Sequence, residues 1–250
     1  MTLAEMLPDF STLDIIFTAI LFIWTGFVRS GLGFGGGALG LPLMLFVYDQ
    51  PIFWLPVIGL HLLFFSALTL RTRLNNVDWP YLRQSLVYII PAALVGVFGL
   101  LNLPNRWLVL FIYSITLFYA VIWLFNINLR SNKNWIDKIL LILGGYVAGT
   151  SLTGAPLMVA VFMRHIAMAQ LRNTLFVLWF VLVTIKMATF AAVGVDLHIT
   201  TALLLLPVAA IGHVMGIYAH DKIMQNDLLF RRIIGGFLIV ICLPGLWQAY

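Results

Sequence analysis

The sequence predicts an all-α integral membrane protein made of two inverted repeats, each a broken helix–loop–helix hairpin with a glycine-rich tip followed by three transmembrane helices. Three observations predict it. Apolar segments of about 20 residues recur from end to end of a 250-residue chain that is 62% hydrophobic and 9% charged. A glycine-rich break interrupts the apolar pattern once in each half, over 30–37 and again over 149–154. Basic residues cluster in loops that one arrangement of the segments brings to a single face.

Taken in order, the apolar segments of the first half run over 13–30, 36–48, 51–71, 80–102 and 105–126. Those of the second half run over 136–149, 154–164, 171–194, 199–219 and 229–248. Each half opens with two pieces flanking its break and continues with three ordinary spans. The first break reads Ser30-Gly31-Leu32-Gly33-Phe34-Gly35-Gly36-Gly37 and leads into Pro42-Leu43-Met44. The second reads Gly149-Thr150-Ser151-Leu152-Thr153-Gly154 and leads into Pro156-Leu157-Met158. Pro91-Ala92-Ala93-Leu94-Val95-Gly96 recurs as Pro207-Val208-Ala209-Ala210-Ile211-Gly212, and Arg106 as Lys222, at nearly one offset. The repeats are expected over 1–128 and 129–250. Met1 to Thr12 carries Glu5 and Asp9 and no basic residue, the wrong charge for the n-region of a signal peptide.

Charge placement selects the topology. If each broken pair returns to its starting face, then Arg71, Arg73, Arg83, Arg130, Lys133, Lys138, Arg164, Arg172, Lys222, Arg231 and Arg232 fall near one face. Glu5, Asp9, Asp14, Asp49 and Asp196 fall near the other, and Arg106 alone is on the wrong side. The positive-inside rule prefers this to an arrangement in which each pair makes one crossing. Both termini then lie outside the cytoplasm, and an odd number of crossings per half makes the repeats inverted. The segments after the breaks are too short for a hydrocarbon core of about 30 Å. They read as half-helices inserted from opposite faces, with their starts meeting near the midplane.

A helix start offers free N–H groups and the positive end of the macrodipole, and glycine lets a ligand approach that backbone. The breaks therefore read as an anion site built from Gly33, Gly35, Gly36, Gly37 and Gly154, with Ser30, Thr150, Ser151 and Thr153 as hydroxyl donors. The competing reading is close helix packing by small residues. Ionisable groups inside spans add His61, Lys186 and His213, and Arg29 adjoins the first break. Each has a plainer reading: a helix-to-helix hydrogen bond for His61, a snorkelling stem for Lys186, packing beside Gly212 and Gly216 for His213, an interfacial charge for Arg29. Arg172 reads as a topological charge. No Asp or Glu is central in a span, so the interior suits an anion better than a cation.

Other chemistry finds little support. Cys242 is the one cysteine, which excludes an internal disulfide. Asp137 and Asp221 read as loop acids, the histidines lack zinc spacing, and no P-loop lysine follows the glycines. No catalytic residue, metal or cofactor is expected. The net charge of +5 is spread over short loops, which points away from nucleic acid. The eight tryptophans, Trp24, Trp54, Trp79, Trp107, Trp123, Trp135, Trp179 and Trp247, fall mostly toward segment ends, as interfacial belts do.

The Gly33-x-Gly35-Gly36-Gly37 run followed by Pro42, in a chain of two related halves, resembles the sulfite exporter TauE/SafE family over essentially its whole length. At the second break the sequence has Thr153-Gly154-Ala155-Pro156, where the family usually has a glycine pair before the proline. The resemblance implies export of sulfite or an organosulfonate such as sulfoacetate, by a multi-pass protein of the bacterial inner membrane. Its partners would be the small anion and the lipid bilayer, with a homodimer left open. Alternating access around the breaks is the expected mechanism. An anion channel of the same architecture, and an importer of another small anionic solute, are the alternatives.

Overall fold

A computed structural model of the chain describes residues 10–32, 36–127 and 133–250, apart from the side chains of 221, 224 and 227. Glu5, Asp9 and Arg130 lie outside them. The described residues form ten α-helices: α1 (Thr12–Leu32), α2 (Gly36–Met44), α3 (Pro51–Leu70), α4 (Trp79–Asn102), α5 (Asn105–Leu124), α6 (Asn134–Ser151), α7 (Ala155–His165), α8 (Met168–Ala192), α9 (Ile199–Gln225) and α10 (Asp227–Ala249). Each expected apolar segment is helical, with ends shifted by a few residues. The segment expected over 36–48 shortens most, because α2 gives way to turns after Met44. Seven helices, α1, α3, α4, α5, α8, α9 and α10, are long and apolar enough to cross a membrane. At 1.5 Å per residue, α2 and α7 reach only about 14 and 17 Å, roughly half a hydrocarbon core.

The helices form two compact units that interleave along the chain. The first comprises residues 1–61, 105–127 and 197–250, and the second 62–104 and 128–196, so the division falls inside α3 after His61. In the first unit α1 packs on α9 and α5 on α10, and α2 lies against α1, α5 and α10. In the second unit α4 packs on α6 and α8, and α7 lies against α6 and α8. Side chains such as Val87, Val95, Leu203 and Val240 remain exposed, as suits contact with lipid tails.

Small residues set the main contacts. A Cβ on Gly26 would stand 2.3 Å from the Ala209 carbonyl oxygen, and one on Gly212 1.9 Å from that of Ile23. In the second unit a Cβ on Gly149 would stand 2.0 Å from the Ala93 oxygen, and one on Gly96 2.2 Å from that of Tyr146. Backbone is thus pressed on backbone at α1–α9 and at α4–α6, the packing that small residues permit between membrane helices.

Both broken pairs are hairpins. Trp24 donates its indole N–H to Leu39 O at 3.3 Å, and Gly36 and Gly40 lie against Thr25. The Phe10 ring is 5.5 Å from Tyr48, so the chain entering α1 and the chain leaving α2 share an end. Likewise Gly154 lies on Gly144 and Ala148, while Arg164 pairs with Asp137 and His165 is 2.8 Å from it. Asp137 is therefore a buried residue in the first turn of α6, and Asp221 lies within α9. Neither is the loop acid that the sequence suggested. An acid beside two basic groups at a helix start is stabilised both by them and by the helix dipole.

Charges gather at one end of each unit. In the second unit the starts of α4, α6 and α8 and the end of α7 converge, carrying Arg83, Lys138, Arg164 and Arg172. Asn76 donates to Ala169 O, and the Tyr81 and His165 rings stack at 4.8 Å. In the first unit Lys222, Arg231 and Arg232 lie where α9 meets α10, at the end where His220 donates to Gly31 O. Asp14 and Asp49 lie at its opposite end. So does Arg106, the residue expected on the wrong side, and it donates there to the Ala249 and Tyr250 carbonyls.

Gly96→Ala should lower the thermal unfolding temperature of the detergent-purified protein by an overpacking cost of about 1–3 kcal/mol. Gly99→Ala, less than a turn along α4, should not, because its Cβ would meet only the Tyr146 hydroxyl at 3.7 Å and alanine is the better helix former.

Candidate functional site

The second break is built around one carbonyl. Leu152, in the left-handed region at φ 59, ends α6 and gives its N–H to Ala148 O at 3.0 Å. A left-handed residue is a common way to stop a helix and turn the chain. Lys186, from the second half of α8, reaches the same oxygen with Nζ at 3.4 Å and is 1% exposed. Its other contact among the described residues is the Phe190 ring, 5.8 Å from Nζ. An ammonium has three donors and one unit of charge, and no carboxylate is among these contacts.

The start of α7 adjoins this lysine, since Gly154 is packed on Ala148. No side chain caps α7, and Pro156 in its first turn has no N–H. The first backbone bond into the helix runs from Met158 N to Gly154 O at 3.5 Å. Helix geometry leaves the N–H groups of Ala155 and Leu157 without an intrahelical acceptor. All these residues are buried. The positive end of a helix and a buried lysine thus lie at one break.

The hydroxyls there are partly engaged. Thr150 donates to Tyr146 O at 2.9 Å, with Gly96 O at 3.3 Å. Ser151 lies 3.0 Å from Val147 O and 2.6 Å from the Thr153 hydroxyl. Thr150 therefore spends its proton on backbone, and so does Ser151, which leaves Thr153 to donate its own proton to the Ser151 oxygen. Gly154 has a packing role of its own, because a Cβ there would stand 2.0 Å from Gly144 O.

In the first unit, Arg29, Ser30, Gly36, Gly37 and His213 come together at the α1–α2 hairpin. Gly36 lies against Arg29 and Thr25 O, with a Cβ placed 3.0 and 3.1 Å from them. Ser30 Oγ is 2.5 Å from His213 Nδ1, which ties α1 to α9. His61 lies within electrostatic reach of Arg29 and makes its hydrogen bond to α9. It donates from Nε2 to Ala202 O at 2.6 Å, with its ring edge-on to Phe22 at 5.0 Å, two turns along α1 from Arg29. Gly33 and Gly35 lie outside the described residues.

Sequence reasoning missed the roles of three tryptophans. The Trp24 indole braces the first hairpin. Trp54 is fully buried and donates to Tyr48 O at 2.8 Å, and Trp179 is buried near mid-length in α8. Distance from the segment ends was the available signal for Trp179.

The family model described as Sulfite exporter TauE/SafE matches residues 18–244. No curated protein and no solved structure matches the chain.

Ser30→Ala and His213→Ala should each destabilise the purified protein by about 1–3 kcal/mol, by leaving a buried polar group without its partner. The double variant should lose less than the sum of the two, as measured in a thermal double-mutant cycle.

Proposed function

The chain belongs to the sulfite exporter TauE/SafE family, and on that premise we propose that it exports sulfite or an organosulfonate such as sulfoacetate by alternating access. Family membership and the multi-span helical architecture support transport of small anions across a bilayer. The observation that carries the finer reading is Lys186. It is buried beside an uncapped half-helix start, and its contacts include no carboxylate. A charge buried without a counter-charge is costly, and a bound anion supplies one. A sulfonate or sulfite presents several oxygens to the ammonium and to the N–H groups of Ala155 and Leu157. The reach of α7, about half the hydrocarbon core, supports a site near the midplane.

We read the chain as two inverted repeats over 1–128 and 129–250. Matched packing supports the duplication. Ala93 on Gly149 corresponds to Ala209 on Gly26, and Tyr146 on Gly96 corresponds to Ile23 on Gly212. Along the chain Ala93 and Ala209 keep the same spacing as Gly96 and Gly212, and Ile23 and Tyr146 the same spacing as Gly26 and Gly149. Hairpins whose outer ends adjoin, each followed by three spans, support an odd number of crossings per half and hence inversion. The basic ends of the units then face the cytoplasm of a bacterial inner membrane, with both termini outside. Arg29, Ser30, Gly36 and Gly37 make the corresponding half-site in the first unit, and Gly33 and Gly35 belong to it by sequence. His61 and His213 act there through the helices they tie. A homodimer is compatible with this reading. The negative-inside potential drives anions outward at about 2.3 kcal/mol per charge per 100 mV, so a carrier suffices without an enzymatic step.

Thermal shift with sulfite, sulfate, thiosulfate, sulfoacetate, taurine, acetate and chloride tests this function. Sulfite or one organosulfonate should raise the unfolding temperature selectively. Lys186→Gln should abolish that response while remaining folded. A response kept in full by Lys186→Gln, or absent in the parent for every anion, refutes the reading.

A further inference from the structure

Trp179 lies near mid-length in α8, 8% exposed, and its indole nitrogen is sealed from solvent with no hydrogen-bond partner. Other indoles of the molecule find acceptors: Trp24 on Leu39 O, Trp54 on Tyr48 O and Trp79 on Leu74 O. A buried indole N–H ordinarily finds one, because leaving it unmade costs the full desolvation of the donor. The position of this one is specific. Trp179 precedes Lys186 by seven residues, two helical turns, so both lie on the face of α8 that Lys186 turns toward Ala148 of α6. The step between them is about 10 Å along the axis. Two turns further back on the same face is Arg172, its guanidinium 5.7 Å from the Phe176 ring, at the end of the unit where Arg83, Lys138 and Arg164 gather. The face thus presents a cation at the basic end, a neutral N–H donor at mid-helix, and the lysine at the break.

We propose that Trp179 is a second anion-binding residue, whose indole N–H holds an oxygen of the sulfur oxyanion one stage before Lys186 on the route from the basic end of α8. This rests on the anion-transport reading above and adds a residue and an order of contact to it. A neutral donor suits an intermediate station, since transport needs binding firm enough to admit the ion and weak enough to release it. An oxyanion offers the indole an acceptor that the protein does not.

The test uses the full-length protein in detergent micelles, with sulfite and sulfoacetate as probes. The indole 15N–1H resonance missing from the spectrum of W179F should shift when the parent protein is given the anion that binds it. W179F, which keeps an aromatic ring and loses the N–H, should bind that anion at least tenfold more weakly, with an unfolding temperature without anion no lower than the parent's. W179H, which restores a ring N–H, should recover part of the affinity. Parental affinity in W179F, or an indole resonance unmoved at saturating anion, overturns the role of Trp179. If K186Q still abolishes binding, the transport reading survives that result. If neither anion binds the parent protein, the transport reading fails and this inference fails with it.

Discussion

Backbone pressed against backbone is the constraint on which both units rest. Lipid tails are as apolar as leucine, so burying leucines does little to hold helices together in a membrane, and close van der Waals contact must do so instead. Gly26 and Gly212 allow it for α1 and α9, and Gly96, Gly145 and Gly149 for α4 and α6. The two hairpins depend on these seams. α2 lies against an α1 fixed by α9, and α7 against an α6 fixed by α4. A half-helix too short to span the bilayer needs such a support, because its start must remain buried within protein.

On that support the second unit gathers positive charge where the surroundings are driest. The macrodipole of α7 and the ammonium of Lys186 add at one break. Asp137 is bound to Arg164 and His165 at the far end of the hairpin. The hydroxyls of Thr150 and Ser151 mainly satisfy carbonyls of the helix turns they end, and so they hold the backbone of the break. On the proposed function, selectivity would rest on N–H groups and one amine, donors that fit an ion with several equivalent oxygens better than a spherical halide.

Much of this fold was legible because the bilayer leaves few choices. A long apolar run must be a helix, so the segments could be read from hydropathy, and the breaks from glycine. The buried position of Lys186 was legible because it falls well inside an apolar span. Other features depended on which helix meets which, and that is invisible in one sequence. Asp137 looked like a loop acid until the hairpin brought Arg164 beside it. Gly154 and Gly36 looked free for a ligand, yet each is pressed on the partner arm of its hairpin. His213 looked like a candidate ligand and engages Ser30. Trp179 was hidden among tryptophans whose positions near segment ends suited an interfacial belt.

The interleaving of the units along the chain fixes an order of assembly. The second unit uses residues 62–104 and 128–196, and its glycine seam can close once α6 has followed α4 out of the ribosome. The first unit opens with α1 but needs α9, and at 5–20 residues per second Gly212 emerges roughly 10 to 40 s after Gly26. Throughout that interval Ser30, buried and bound to His213 in the finished protein, has no α9 to cover it. α1 is made long before the helix that packs on it, so the insertion machinery must shelter its polar face until α9 arrives.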